Sequence, residues 1–434
     1  MGWVEVSVLM LGMVVGLMAL GLPVAFAFLI ADLVGAWLFL GGEVGIRQLI
    51  GNAFSSVTSF ALVPVPLFLI MGELFFHTGL AMRVFDALDK CMGRVRGRLS
   101  YLTVVGGTMF ATLSGSSMAN TAMLGSLLVP EMTRRGYKPA MSIGPILGTG
   151  GLAMIIPPSS LAVLLASLAR IDVGKLLIAG LLPGLLLAGF YGVLIYTQLR
   201  LDPDAAPQYD VPAVPFRAKI GLIVRDMLPM ALVMALVVGV ILSGVATPTE
   251  AAAFGVVGVV ILAAAFRCLT WDAVVKSLRG ALRVTVMAFM IIMMSATFSQ
   301  ILAFSGASAG MIAWATSADA APLVILLSMF AALLVLGMFM DQLSMMLLTV
   351  PIFMPLASEL GFDLIWFAVI MLLALEISFT TPPFGLLLFV MKGVAPPGTT
   401  MSQIYRAALP FIGCALLLVA LLIAVPDIAL VLVR

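Results

Sequence analysis

Two proline doublets mark where this chain can expose backbone chemistry inside very apolar sequence. Pro157-Pro158 and Pro382-Pro383 each remove two amide donors and release carbonyls of the preceding turn. Hydroxyls and glycine surround both, in Gly148-Thr149-Gly150-Gly151 through Ile156-Pro157-Pro158-Ser159 and in Glu376-Ile377-Ser378-Phe379-Thr380-Thr381-Pro382-Pro383. Neutral carbonyl and hydroxyl oxygens without a dense carboxylate cage suit a weakly held monovalent cation such as Na⁺, whereas Ca²⁺ recruits several carboxylates. Asp341 is the most informative ionisable residue, because it stands in an otherwise uncharged stretch and intramembrane acids are costly. It could ligate a cation, carry a proton or cap a helix. Glu376 either serves the second site or bonds the amides released there.

The doublets belong to a longer duplication. Pro130, Gly136, Pro157 and Pro158 recur as Pro355, Gly361, Pro382 and Pro383, all at one offset (355 − 130 = 225). Each copy places a polar, glycine-bearing stretch ahead of its first proline, Leu113-Ser114-Gly115-Ser116-Ser117-Met118-Ala119-Asn120-Thr121 and Gly337-Met338-Phe339-Met340-Asp341-Gln342-Leu343-Ser344. Paired interruptions in corresponding halves of a membrane protein point to a transporter's binding site.

The elements that must position these residues follow from composition. With 63% hydrophobic and 10% charged residues and a mean hydropathy of +1.24, the chain has too little polar surface for a water-soluble globule. The expectation is an all-α, polytopic protein of the lipid bilayer, with spans near 4–21, 23–41, 53–78, 140–169, 176–199, 227–247, 250–267, 285–303, 363–391 and 407–425. The intervals 99–130 and 322–357 are too short for two crossings plus a turn, so each reads as a re-entrant helical hairpin, with tips near Ser114 to Ser117 and Gly337 to Asp341. Lys and Arg concentrate in the loops at 80–98, 132–139, 200–226, 267–283 and 392–406, which are therefore cytoplasmic, whereas 304–321 and 356–363 carry none. Threading the spans through these constraints leaves five crossings between the hairpins, an odd number, so the halves are inverted repeats. Asp202 to Lys219 is the proline-rich connector.

Other features read as structural. A net charge of +2 gives no footing for nucleic acid, and Cys91, Cys268 and Cys414 are too isolated for a disulfide framework or a metal site. Asp32 reads as a helix-helix contact and His77 as an interfacial residue. Arg83, Lys90, Arg94, Arg96 and Arg98 read as a surface-lying cytoplasmic anchor.

The run Ser114-Gly115-Ser116-Ser117, Pro130-Glu131-Met132, Arg135-Gly136-Tyr137, Ile156-Pro157-Pro158-Ser159, Gly174-Lys175-Leu176 and Gly180-Leu181-Leu182-Pro183-Gly184 resembles the large membrane subunit of the tripartite ATP-independent periplasmic (TRAP) transporters. Pro351-Ile352, Pro355, Gly361-Phe362-Asp363 and Thr381-Pro382-Pro383-Phe384-Gly385 carry the resemblance into the second half, so it covers essentially the whole chain. It implies a Na⁺-driven secondary importer of an organic acid in a bacterial inner membrane, an elevator in which the hairpins and broken helices slide against a scaffold. It also implies two partners, a small membrane subunit of about four helices and a periplasmic substrate-binding protein. No cofactor beyond the coupling Na⁺ is implied, and no enzymatic activity. Carried to matching positions, Na⁺ meets Ser114, Ser117 and the backbone from Gly148 and Thr149 to Ile156 and Pro157 in one half, and Gly337, Thr380 and Thr381 in the other. Substrate sits near Ser116, Asn120 and Asp341. The corresponding units are scaffold at 1–98 and 227–320, transport domain at 99–199 and 321–434, and connector at 200–226. The second hairpin departs from the family in its methionines, Met338, Met340, Met345 and Met346.

Three other classes compete. A self-sufficient Na⁺/dicarboxylate symporter of related architecture needs no binding protein. An intramembrane serine hydrolase at Ser114 needs a partner histidine, for which His77 is the sole candidate. A passive channel does not require paired interruptions in inverted halves.

Overall fold

The computed structural model describes residues 1–93, 95–114, 116–208, 215–317, 321–338 and 340–434, without the side chains at 61, 112–114 and 315–317. The first half runs α1 (Trp3–Ala19), α2 (Val24–Phe39), α3 (Glu43–Val57), α4 (Pro64–His77), α5 (Leu80–Cys91), α6 (Arg98–Ser114), α7 (Ser117–Arg134), α8 (Pro139–Ile155), α9 (Ser160–Ala169) and α10 (Val173–Leu201). The second runs α11 (Phe216–Leu222), α12 (Leu228–Leu242), α13 (Pro248–Ala265), α14 (Trp271–Phe304), α15 (Ala307–Ser317), α16 (Pro322–Leu336), α17 (Gln342–Glu359), α18 (Leu364–Thr380), α19 (Leu386–Val394), α20 (Met401–Ala424) and α21 (Asp427–Leu430). No strand occurs among the described residues.

Both doublets break their helices. After α8 the chain bends by 43° into α9, and α18 stops at Thr380 before α19 resumes at Leu386. Pro157 and Pro158 cannot donate to the carbonyls of Ala153 and Met154, nor Pro382 and Pro383 to those of Ser378 and Phe379. Ser159 restarts its helix by accepting from the Ala162 amide at 3.2 Å. Both Pro-Pro peptide bonds are cis. The hairpins form as expected, α6 turning into α7 and α16 into α17.

The duplication extends far beyond its prolines. Helices α7 and α8 coincide with α17 and α18 at both ends when shifted by 225, and α1, α2 and α5 fall on α12, α13 and α15 to within a few residues. Contacts obey the same exchange: α7 packs on α19 as α17 packs on α9, and α8 meets α18 directly. Gly151 and Glu376 are equivalent positions, and a Cβ on Gly151 would land on the Glu376 carboxyl. The pseudo-two-fold axis therefore passes between α8 and α18, and with the opposed loop charges the repeats are inverted. Every residue from Met141 to Ile155 and from Trp366 to Thr380 is buried, so these two apolar helices are the centre of the protein. Large apolar side chains turned outward, such as Leu232 and Leu236 on α12 and Phe254, Val257 and Ile261 on α13, supply the lipid-facing surface.

Several expectations are corrected. The span read at 53–78 is split: α3 ends at Val57, a short turn follows, and α4 starts at Pro64, because Pro64 and Pro66 cannot continue a helix from upstream. Its counterpart α14 has no proline and runs unbroken for 34 residues, through most of the basic stretch taken as a loop at 267–283 and past the span read at 285–303. The segment 304–321 contains α15. Arg98 is 3% exposed and pairs with Asp89 at 2.8 Å, while Arg83 pairs with Asp226 at 3.0 Å, so these two tie helices together, whereas Lys90 and Arg96 are exposed. Arg94 lies outside the described residues. Asp32 is fully buried with no hydrogen-bond donor to either oxygen among the described residues, and His77 pairs with Glu73 at 3.2 Å.

Small residues allow the close approaches. A Cβ at Gly180 would strike the Ile155 carbonyl oxygen, so α10 seats its backbone directly on the end of α8. Gly180→Ala is expected to push α10 off that end and lower the apparent Tm of the purified protein by several degrees; an unchanged melting curve would contradict the packing.

Candidate functional site

The first hairpin delivers its polar residues to the glycine-rich turn of α8. Asn120 is fully buried, and its side-chain amide donates to the Thr149 carbonyl at 3.0 Å and the Gly107 carbonyl at 3.4 Å, clamping both arms of the hairpin to α8. Glycine makes this possible: a Cβ at Gly150 would meet Thr121 Oγ1, one at Gly107 would meet Thr149 Oγ1, and one at Gly148 would meet the Phe411 ring. Glu376 enters from α18 over Gly151, beside Ser117. Four buried oxygens result, Ser117 Oγ, Asn120 Oδ1, Thr121 Oγ1 and Glu376 Oε2; the Ser117 hydroxyl faces the Glu376 carboxylate, and Asn120 Oδ1 and Thr121 Oγ1 have no protein hydrogen-bond partner among the described residues. A buried polar atom left unpaired costs on the order of 1–3 kcal/mol, so such a cluster calls for a ligand that supplies positive charge. One carboxylate among neutral oxygens fits a monovalent cation, and no group of three or more His, Cys, Asp or Glu that could hold a metal ion exists among the described residues.

The second half repeats the plan with different side chains. Gly337 ends α16 against Ser378, onto whose hydroxyl a Cβ would fall. Ser378 Oγ donates to Leu375 O at 2.8 Å, Thr380 Oγ1 to Ile377 O at 3.0 Å and Thr381 Oγ1 to Ile377 O at 2.6 Å. Each hydroxyl hydrogen is thus held by its own helix, which leaves the oxygens as acceptors. Gln342, equivalent to Ser117, reaches across the axis to Met154 Sδ at 3.0 Å. Thr380 and Gly148 meet at one small void with Tyr191 and Glu376.

Ser116 and Asp341 are also equivalent positions, and both cap the second arm of a hairpin. Ser116 Oγ accepts from Ala119 N at 3.3 Å. Asp341 Oδ2 accepts from Leu343 N at 3.0 Å and Ser344 N at 3.3 Å, and Oδ1 accepts from the Ser344 hydroxyl. Asp341 is therefore a helix cap, and both tips carry the partial positive charge of a helix N-terminus.

The structure thus brings Ser117, Asn120, Gly148 and Thr149 into one centre with Glu376 and Thr121, and Gly337 into a second with Ser378. Thr380 and Thr381 lie at the end of α18. Ile156 closes α8 by donating its amide to Leu152 O at 3.0 Å, and Pro157 with Pro158 faces apolar neighbours on α10 and α12, among them Leu177 and Val237. The side chain of Ser114, like all of Gly115 and Phe339, lies outside the described residues. Sequence reasoning missed Thr121 and Gly151; the Gly151–Glu376 equivalence was available from the 225-residue offset.

An all-helical membrane chain with two hairpins and two broken helices, related by an inverted repeat and converging on buried oxygens, has the architecture of a secondary transporter. The same fold is found in the Alcanivorax borkumensis YdaH transporter, which superposes with a TM-score of 0.65 over 89% of both chains at 15% sequence identity. Residues 11–428 match the family model of the tripartite ATP-independent periplasmic transporter, DctM component. The chain belongs to that family, and is a multi-pass protein of the inner membrane. Relatives include the C4-dicarboxylate TRAP transporter large permease protein DctM of Pseudomonas aeruginosa, 34% identical over 89% of each chain, and the ectoine TRAP transporter large permease protein TeaC of Halomonas elongata, 26% identical over 98% of each.

Proposed function

We propose that this chain is the large permease of a Na⁺-driven importer of a small organic acid, working with a small membrane subunit and a periplasmic substrate-binding protein. The observation that carries the Na⁺ assignment is the set of four buried oxygens, one of them from a carboxylate, gathered where α7 meets α8 and α18. Ser114, Ser117, and the backbone from Gly148 and Thr149 to Ile156 and Pro157 hold one ion; Gly337, Thr380 and Thr381 hold another. The organic acid binds between the hairpin tips near Ser116, Asn120 and Asp341; the helix N-terminus behind Ser116 favours negative charge there, while the one behind Asp341 is already capped by its own carboxylate. Family membership supports the partners, and the substrates for which the relatives are named, C4-dicarboxylates and ectoine, support an organic acid.

The motion we propose is an elevator's. Hairpins, broken helices, α10 and α20 form one body, at 99–199 and 321–434, that moves against the scaffold at 1–98 and 227–320. Because the repeats are inverted, a state open to one face has a mirror in topology open to the other.

The test is uptake into vesicles holding the complete tripartite complex, with labelled succinate as probe. Ser117→Ala and Thr381→Ala are expected to raise the half-saturating Na⁺ concentration about tenfold, the size of one lost ligand oxygen at ~1.4 kcal/mol, with expression unchanged. Na⁺ activation curves equal to the parent's would contradict the ion sites, and full uptake by this chain alone would contradict the need for partners.

A further inference from the structure

A sizeable cavity lies away from the hairpin tips. It encloses about 660 Å³ between α3, the break before α4, α14, α17 and the end of α9, and includes none of Ser116, Asn120 or Asp341 in its walls. It opens toward the outer face: α9, α14 and α17 all end at it, and the segments that follow α14 and α17 carry no Lys or Arg. Its walls set serine and amide side chains among a larger apolar lining, and are almost uncharged. Asn52 on α3 and Gln300 on α14 are locked to each other, Asn52 Nδ2 donating to Gln300 Oε1 at 2.5 Å and Gln300 Nε2 to Asn52 Oδ1 at 3.3 Å. Each amide NH₂ keeps a second hydrogen for a guest.

Arg170 is the only ionisable residue in those walls. It is exposed and forms no ion pair among the described residues. A cation on this face runs against the charge bias that places Lys and Arg inside. Arg170 also occupies the left-handed backbone region, φ 55°, as the cap of α9, where glycine sits most easily. The other non-glycine residue there among the described ones, Arg267, lies in a cytoplasmic basic segment where the bias accounts for its charge. The fold itself does not call for a cation, since the equivalent of Arg170 in the second repeat is Ala395.

We infer that this cavity is an outer receiving site for a small organic anion, in which Arg170 pairs with the anionic group before the substrate reaches the hairpins. The inference rests on the transport reading above. Asp172, two residues on, is engaged as the cap of α10 through the Lys175 amide, and a guanidinium without an ion pair, in a cavity with spare amide hydrogens, binds carboxylate or sulfonate by charge-assisted hydrogen bonds.

The experiment uses the full chain in right-side-out vesicles, with Cys91, Cys268 and Cys414 replaced by serine and Ser358→Cys as a reporter in the cavity wall. A membrane-impermeant methanethiosulfonate is expected to label the reporter from outside, and millimolar sodium succinate to slow labelling about fivefold or more relative to sodium chloride of equal ionic strength, by occupying an Arg-dependent site. Adding Arg170→Gln should abolish this protection, Arg170→Lys should restore part of it, and neutral succinamide should give none. In the complete complex, Arg170→Gln should raise half-saturating succinate about tenfold and leave half-saturating Na⁺ unchanged. No protection in the reporter chain, or equal protection with Arg170→Gln, overturns the receiving site. Protection that stands while the complete complex shows no Na⁺-driven uptake overturns the transport reading instead.

Discussion

Gly151→Ala is expected to destabilise the protein, and Glu376→Ala to rescue much of that loss. The added Cβ falls onto the Glu376 carboxyl where α8 and α18 cross, and neither helix can yield, because every residue from Met141 to Ile155 and Trp366 to Thr380 is buried. Overpacking a filled core costs roughly 1–3 kcal/mol. Thermal unfolding of the purified single and double variants measures the coupling: the double variant should be more stable than the sum of its parts by about 1 kcal/mol or more. Additive effects would show that the repeats do not meet at this pair.

Asn120→Ala should be the most damaging change to transport among the hairpin residues. It removes the donor that holds the Thr149 and Gly107 carbonyls, so the first hairpin loosens from α8 and carries the proposed Na⁺ ligand Ser117 away from its partners along with the substrate contact at Asn120. Losses of ~1–3 kcal/mol for each hydrogen bond combine to at least a tenfold rise in half-saturating Na⁺, with lower maximal uptake. Asn120→Leu keeps the volume without the polarity and should fare no better. Normal Na⁺ activation in either variant would remove Asn120 from the site.

Much of this was legible in residues that do not tolerate exchange. Proline cannot donate a hydrogen bond, so the two doublets announced the helix breaks, and the polar tips announced both hairpins. The scaffold half of the duplication left no such mark, because lipid-facing Leu, Val and Phe substitute for one another while the helix persists. Basic residues also misled: Lys276, Arg279 and Arg283 count as a loop by charge, yet they lie on α14, which extends as a helix toward the cytoplasm. Asp341 was ambiguous until its oxygens were seen accepting from Leu343 and Ser344. Arg170 gave no signal in the sequence, since only the cavity shows it to be the one ionisable side chain in that wall.

Inversion of the repeats underlies alternate access, and one pair of equivalent positions tests it. Arg134 at the end of α7 and Glu359 at the end of α17 stand 225 residues apart and are both exposed. Single cysteines at these positions, in a chain with its native cysteines replaced, are to be labelled with an impermeant thiol reagent in right-side-out and inverted vesicles. Arg134→Cys should react only in inverted vesicles and Glu359→Cys only in right-side-out ones. Labelling of both from the same side would contradict an inverted duplication.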